Sequence, residues 1–416
     1  VTAAEGDRPP LSGTSAQRVF LAVQTLSALG DSFAYVAIPL LVLHSTGSVV
    51  QMGAVTGLTG LASILTGPFA GVLADRVDRR RLLIVSDTAR CLLYLFVPVV
   101  WAFATPVWLI YTVVPVAGIF SMLFQVTYVA VVPALVGPGQ ITRANGRLYA
   151  SYAAAGVAGP ALAGLVASSA GPATAIGIDA ATFAISALGI RFVRFDATAR
   201  PPVAAERRRP RGEFLAGVRF LWAHPVLRPL TVLLSVLTFL TYGLTDLVVY
   251  LVKHELGHAD ATVGYVLAVG TVGTFAASSV VARLRRRLGF GVSWIGSFSV
   301  AGLAVACLGV ARTVPVVAAL VTVQLMCTGI AGICSMSLRQ EVTPAPLLGR
   351  VTSSFWTVHS ALGPLGATAT TAAASGLGVT TVCLFTGSAV LLVALTGSVT
   401  GILRPETGEP RLEETA

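Results

Sequence analysis

Apolar residues run in stretches of about 20 along almost the whole chain, interrupted by short polar turns. Twelve such stretches fall at roughly 18–43, 50–73, 82–104, 107–132, 144–168 and 172–192, then 226–251, 262–282, 290–310, 314–337, 350–374 and 377–403. Each is long enough to cross a hydrocarbon core of about 30 Å as a helix. The ten-residue alternation of a membrane β-barrel is absent. The pattern predicts an all-α membrane protein with twelve transmembrane helices in two sets of six. A polar, arginine-rich segment at 193–225, with Pro201, Pro202 and Pro210, separates the sets. The expected organisation is a tail (1–17), an N-terminal six-helix bundle (18–192), a linker (193–225), a C-terminal bundle (226–403) and a second tail (404–416). The first apolar stretch is too long for a signal-peptide core and is expected to be retained as a span.

The two sets resemble each other. The turn after span two reads GVLADRVDRRR, from Gly71 to Arg81; its counterpart after span eight reads SVVARLRRR, from Ser279 to Arg287, and lacks the acid. Span five carries Gly146-Arg147 and then Gly159-Pro160, with Gly164 beyond; span eleven carries Gly349-Arg350 and then Gly363-Pro364. A proline inside a helix removes a backbone hydrogen bond and can kink it, so both Gly-Pro pairs are kink candidates. A parallel six-plus-six repeat is a transporter architecture, with the substrate cavity near mid-membrane.

Charge sharpens this picture. Only 11% of residues are charged and 55% are hydrophobic, against about a quarter charged in soluble domains. The net charge of +10 could suggest nucleic acid, but the arginines sit in the short turns, so no nucleic-acid partner is expected. With the N-terminus inside, the outer turns hold only Lys253 and Arg312. That bias places both termini in the cytoplasm of a multi-pass cell-membrane protein. The five cysteines are scattered through apolar stretches without a CxxC pair and read as packing residues. The sole lysine, Lys253, follows Val252, so the chain has no Gly-Lys-Ser/Thr phosphate loop. No cofactor is expected. The chain could still be the membrane subunit of a pump with a separate ATPase, but the six-plus-six repeat favours an ion gradient as the energy source; a small-molecule substrate and the lipid bilayer are the expected partners, and the carrier is expected to act as a monomer.

Ionisable groups inside a bilayer are costly and are functional candidates by default. Asp31 lies about 13 residues into span one, roughly 20 Å along the helix, and is the most central acid. It is the first candidate for proton coupling, with Asp179 in span six and Asp246 in span seven next. Asp87 and Arg90 stand close enough in span three to pair with each other. Gln24, Gln125, Tyr128, Gln324 and Trp356 are candidate cavity residues, and His359 adds an imidazole that exchanges protons near neutral pH. His254-Glu255-Leu256-Gly257-His258 matches the H-E-x-x-H zinc-protease pattern. That chemistry needs both histidines on one helix face and a third ligand, whereas Gly257 reads as a helix stop. A membrane protease is therefore an alternative of another class, and no metal site is expected.

Gly71, Asp75, Arg76, Arg79 and Arg80 match the G-x-x-x-D-R-x-x-R-R signature of the major facilitator superfamily, with Asp78 where that family usually has glycine. Further strings resemble its twelve-span drug:proton antiporter branch, which includes macrolide and enterobactin exporters. These are Gly30-Asp31, Pro133 with Ala144-Asn145-Gly146, Gly159 through Gly164, Asp179 through Phe183, and Arg339-Gln340 followed by Gly349-Arg350. The resemblance covers about 18 to 403. It implies efflux of a hydrophobic or amphipathic small molecule by proton antiport through alternating access. It also implies a cytoplasmic gate in which Asp75 and its arginines meet the start of span eleven near Arg350. Two departures stand out: Ala155 replaces a glycine of the antiporter motif, and span four lacks the arginine some branches carry. An importer or differently coupled carrier of a siderophore or nutrient is the alternative within the family.

Overall fold

A computed structural model describes residues 14–135, 141–193, 210–344 and 347–403. The chain folds as helices α1 (Thr14–Thr46), α2 (Val49–Arg76), α3 (Arg79–Trp101), α4 (Val107–Leu135), α5 (Ile141–Ala170), α6 (Pro172–Arg191) and α7 (Pro210–Ala223). They are followed by α8 (Leu227–Thr241), α9 (Leu244–Tyr250), a π-helical turn (Leu251–Glu255), α10 (Asp260–Leu308), α11 (Val314–Val342), α12 (Leu348–Ser360), α13 (Gly363–Leu377) and α14 (Val379–Thr396). Among the described residues nine helical stretches are long and apolar enough to cross a membrane. The twelve spans are reached because α10 holds two of them, because α5 is apolar over only Ala154–Ala170, and because span eleven is broken into α12 and α13.

Those breaks have local causes. In α10 the helix is interrupted at Gly289, whose φ of 76° and ψ of 176° suit glycine alone. The turn expected over 279–287 is therefore helical to Leu288, and the corner is one residue. Span eleven breaks at Ala361 and Leu362, just before Gly363-Pro364, whereas α5 continues through Pro160. Span seven has its own joint at Tyr242-Gly243, between α8 and α9.

The chain forms two compact units. Unit 1 comprises Val1–Ser45 and Ala62–Ala204; unit 2 comprises Thr46–Leu61 and Ala205–Ala416. Within unit 2 the first part of α2 lies against α13. A methyl group at Gly57 would meet the Pro364 carbonyl at 2.8 Å, and one at Gly53 would collide with the Thr371 side chain. Such close helix contact is what small residues permit in membranes. Trp294 of α10 is fully buried in the core of unit 2, and its Nε1 donates to the Ser335 hydroxyl at 2.9 Å.

The second part of the linker is folded. Helix α7 packs on α12, with Gly217 against the Arg350 carbonyl and the Ser354 hydroxyl. Leu221 is wholly buried. The His224 ring then accepts the backbone N–H groups of Val226 and Leu227 at 3.2 and 3.3 Å, satisfying donors at the start of α8 that have no partner in the helix.

Candidate functional site

The signature turn comes first. Asp78 is the N-cap of α3, its carboxylate accepting the Arg81 N–H at 2.8 Å. An acid is a strong N-cap, which accounts for aspartate where the family usually has glycine. Arg80 donates to the Arg191 carbonyl at the end of α6. The side chains of Asp75 and Arg76, with Gly71, lie outside the described residues. In the repeat, Arg285 makes a bidentate pair with Glu341 at 2.8 and 2.6 Å.

Inside unit 1, α1 passes so close to α6 at Gly30 that a side chain there would collide with Thr182 and reach within 2.5 Å of an Asp179 carboxylate oxygen. This contact sets Asp179 beside the next residue of α1, Asp31. Helix α3 completes the cluster. Arg90 Nη1 lies 3.5 Å from Asp31 Oδ1, and Arg90 Nη2 donates to Asp87 Oδ1. The guanidinium is held flat between rings, 4.0 Å from the Phe183 centroid and 4.7 Å from that of Phe124, a favourable cation–π geometry. Asp87 and Asp179 are fully buried and Arg90 is 3% exposed, while the Asp31 side chain is 55% exposed. Among the described residues Asp179 Oδ2 has no hydrogen-bond partner, although Thr182 approaches Oδ1 at 3.4 Å.

Asp31 opens onto a cavity of about 190 Å³ lined by Gln24, Asp31, Arg90, Ser121, Gln125 and Tyr152, among others. Gln24 is buried in this wall, and among the described residues its Nε2 has no hydrogen-bond partner. Tyr128 lies behind the wall, stacked with Phe20 and Phe124 and edge-on to Tyr152. Gln24, Asp31, Asp179 and Gln125 are thus brought together in unit 1.

The remaining candidates lie in unit 2. Asp246 is 2% exposed and accepts a hydrogen bond from Thr56 of α2. His359 Nδ1 sits 3.0 Å from the Thr238 hydroxyl, and its ring stacks on the half-exposed Trp356. Gln324 is half-buried on α11, where its backbone carbonyl accepts from Thr328. Arg350 stands on α12, whose backbone takes the Gly217 contact. Gly164 is buried in α5.

Sequence reasoning paired Arg90 with Asp87 alone and passed over Arg339. Arg90 instead bridges Asp87 to Asp31. The available signal was a lone arginine in an apolar helix three residues after an acid. Arg339 is 2% exposed, with its guanidinium 3.6 Å above the Phe355 ring.

The H-E-x-x-H string does not make a zinc site. Its first half lies in the π-helical turn, Gly257 has φ of 69°, and the helix stops there, so His258 leaves the face that carries His254. His254 stacks on Tyr250 at 4.6 Å, and Lys253 pairs with the buried Asp260 at 2.6 Å.

Residues 20–368 match the Major Facilitator Superfamily. The chain belongs to that family. It is similar to the enterobactin exporter EntS of Shigella boydii serotype 18 and of Escherichia coli O139:H28, 26% identical in each case over 401 residues, covering 90% of this chain and 89% of the relative. Among solved structures it resembles the nucleoside transporter NupG, with a TM-score of 0.73 at 14% identity over 94% of this chain and all of the other. It also resembles a bacterial homologue of the iron transporter ferroportin, with a TM-score of 0.68 at 18% identity over 93% of this chain and all of the other. These likenesses show the fold. Membership of the Major Facilitator Superfamily makes this protein a multi-pass secondary transporter of small molecules and not an enzyme.

Proposed function

We propose that the protein exports a hydrophobic or amphipathic small molecule in exchange for protons, with Asp31 as the coupling acid. The observation that carries this is the sharing of one guanidinium, Arg90, between a buried carboxylate and a cavity-facing one. With Asp179 beside them, three carboxylates compete for a single cation in a medium that penalises unbalanced charge. A proton on Asp31 relieves the imbalance and releases Arg90 towards Asp87. Its loss draws Arg90 back to the cavity wall. Because Asp31 is the exposed member, it is the one that water and substrate reach. Occupancy of the cavity and protonation of Asp31 then compete, which is the requirement for antiport.

The similarity to enterobactin exporters supports the outward direction. Asp75, Arg76, Arg79, Arg80 and Arg350 are assigned to the cytoplasmic gate on the family signature, with both termini cytoplasmic on the arginine distribution. Resistance of an efflux-deficient host to a panel of lipophilic dyes and antibiotics tests the reading. Wild type is expected to protect, and Asp31→Asn at equal expression is not. Dye uptake into everted vesicles should collapse with the proton gradient. Protection that survives Asp31→Asn removes Asp31 from coupling, and uptake only in right-side-out vesicles makes the protein an importer.

A further inference from the structure

Arg339 is a buried cation that the proton-coupling cluster does not use. Among the described residues its Nε and Nη1 have no hydrogen-bond partner, and its Nη2 meets only the weak acceptor Met336 Sδ, at 3.1 Å. The nearby acid on the same helix, Glu341, is taken by Arg285. A guanidinium that is 2% exposed and lacks a carboxylate is expensive to keep. The Phe355 face beneath it offsets only part of that cost.

The internal repeat says what the ring beneath Arg339 faces. Phe355 stands six residues after Gly349, as Tyr152 stands six after Gly146, and Arg339 lies on Phe355. In unit 1, Tyr152 lines the cavity. In unit 2, Phe355 carries Trp356 and His359 edge-on, at 6.1 and 5.2 Å, and Trp356 is 53% exposed. A fork-shaped cation therefore stands behind a partly open aromatic cluster, at the repeat counterpart of a cavity wall.

We propose that Arg339 is an anion-recognition point for the transported molecule, and that this molecule carries a carboxylate on or beside an aromatic ring. A carboxylate can take one edge of the guanidinium, pairing the Nε–H or an Nη1–H with the Nη2–H that Met336 leaves free, while Phe355, Trp356 and His359 supply ring faces. The assignment rests on the carrier reading above but not on its direction or coupling, so it is tested by binding alone, without a gradient.

Purified full-length protein in nanodiscs is titrated with 1-naphthoate and with its neutral isostere 1-naphthamide, by calorimetry and by quenching of tryptophan fluorescence. Saturable binding of naphthoate is expected, with naphthamide weaker by roughly tenfold or more, the usual penalty for losing a charged hydrogen-bond pair. Arg339→Gln should erase the preference for the anion. Should that variant not fold, Arg339→Lys keeps the charge without the fork and is expected to bind naphthoate about tenfold less tightly. Equal binding of acid and amide by wild type, no saturable binding of naphthoate, or an anion preference unchanged in a folded Arg339 variant would each overturn the proposal.

Discussion

Replacing Arg90 with leucine removes the cation that Asp31 and Asp87 share. The structure sets the size of the effect. Arg90 and Asp87 are both buried, and breaking a buried pair by deleting one partner costs about 3–5 kcal/mol, since the other charge is left without compensation. The two ring contacts add about 1 kcal/mol, and the leucine side chain recovers part of the packing. Arg90→Leu should therefore destabilise the protein by about 4 kcal/mol. The double variant Asp87→Leu/Arg90→Leu removes the orphaned acid as well. Replacing a whole buried pair with apolar residues is often neutral, so the double should return to within about 2 kcal/mol of wild type, leaving a coupling of at least ~2 kcal/mol in the cycle. Reversible unfolding in mixed micelles, followed by tryptophan fluorescence, measures all four corners. Additive losses, or an Arg90→Leu variant as stable as wild type, would refute the picture of Arg90 as the shared counter-ion.

Two further substitutions probe the supports of the site. Gly30→Ala puts a methyl group into Thr182 and Asp179, an overpacking worth about 1–3 kcal/mol; thermal unfolding should show it, and dye efflux should fall further with Gly30→Val. Asp78→Ala removes the N-cap of α3 at a cost of about 1 kcal/mol, whereas Asp78→Asn, which also caps well, should lie within a few tenths of wild type in the same unfolding measurement.

The spans were legible because a bilayer imposes one length on every crossing, and apolar runs record that length directly. Their interruptions were harder to read. Gly363-Pro364 follows a break in span eleven while Gly159-Pro160 leaves α5 whole, although both segments pack closely on a neighbouring helix, Gly366 on Phe239 and Gly159 on Ser32; the same dipeptide therefore does not encode the break. At the site, Asp31 could be singled out by depth alone. Asp179 ranked after Asp31, since depth along a span does not report which helix lies alongside it. Its position beside Asp31 depends on Gly30, where two helices touch sideways. Arg339 escaped for the opposite reason. Its sequence position close to a helix end looks topological, and burial distinguishes it from Arg285 on the neighbouring helix.

The one-residue corner at Gly289 has a consequence for where charge sits. From Asp260 to Leu288 the helix extends on the order of 43 Å at 1.5 Å per residue, against about 30 Å of hydrocarbon. Roughly nine residues must stand clear of the lipid tails, and Arg283, Arg285, Arg286 and Arg287 occupy the end of that overhang. The arginines are thus carried on a rigid stalk instead of a slack loop, at the carboxyl end of a helix whose dipole favours cations. That rigidity fixes Arg285 relative to the end of α11, where Glu341 meets it with both oxygens.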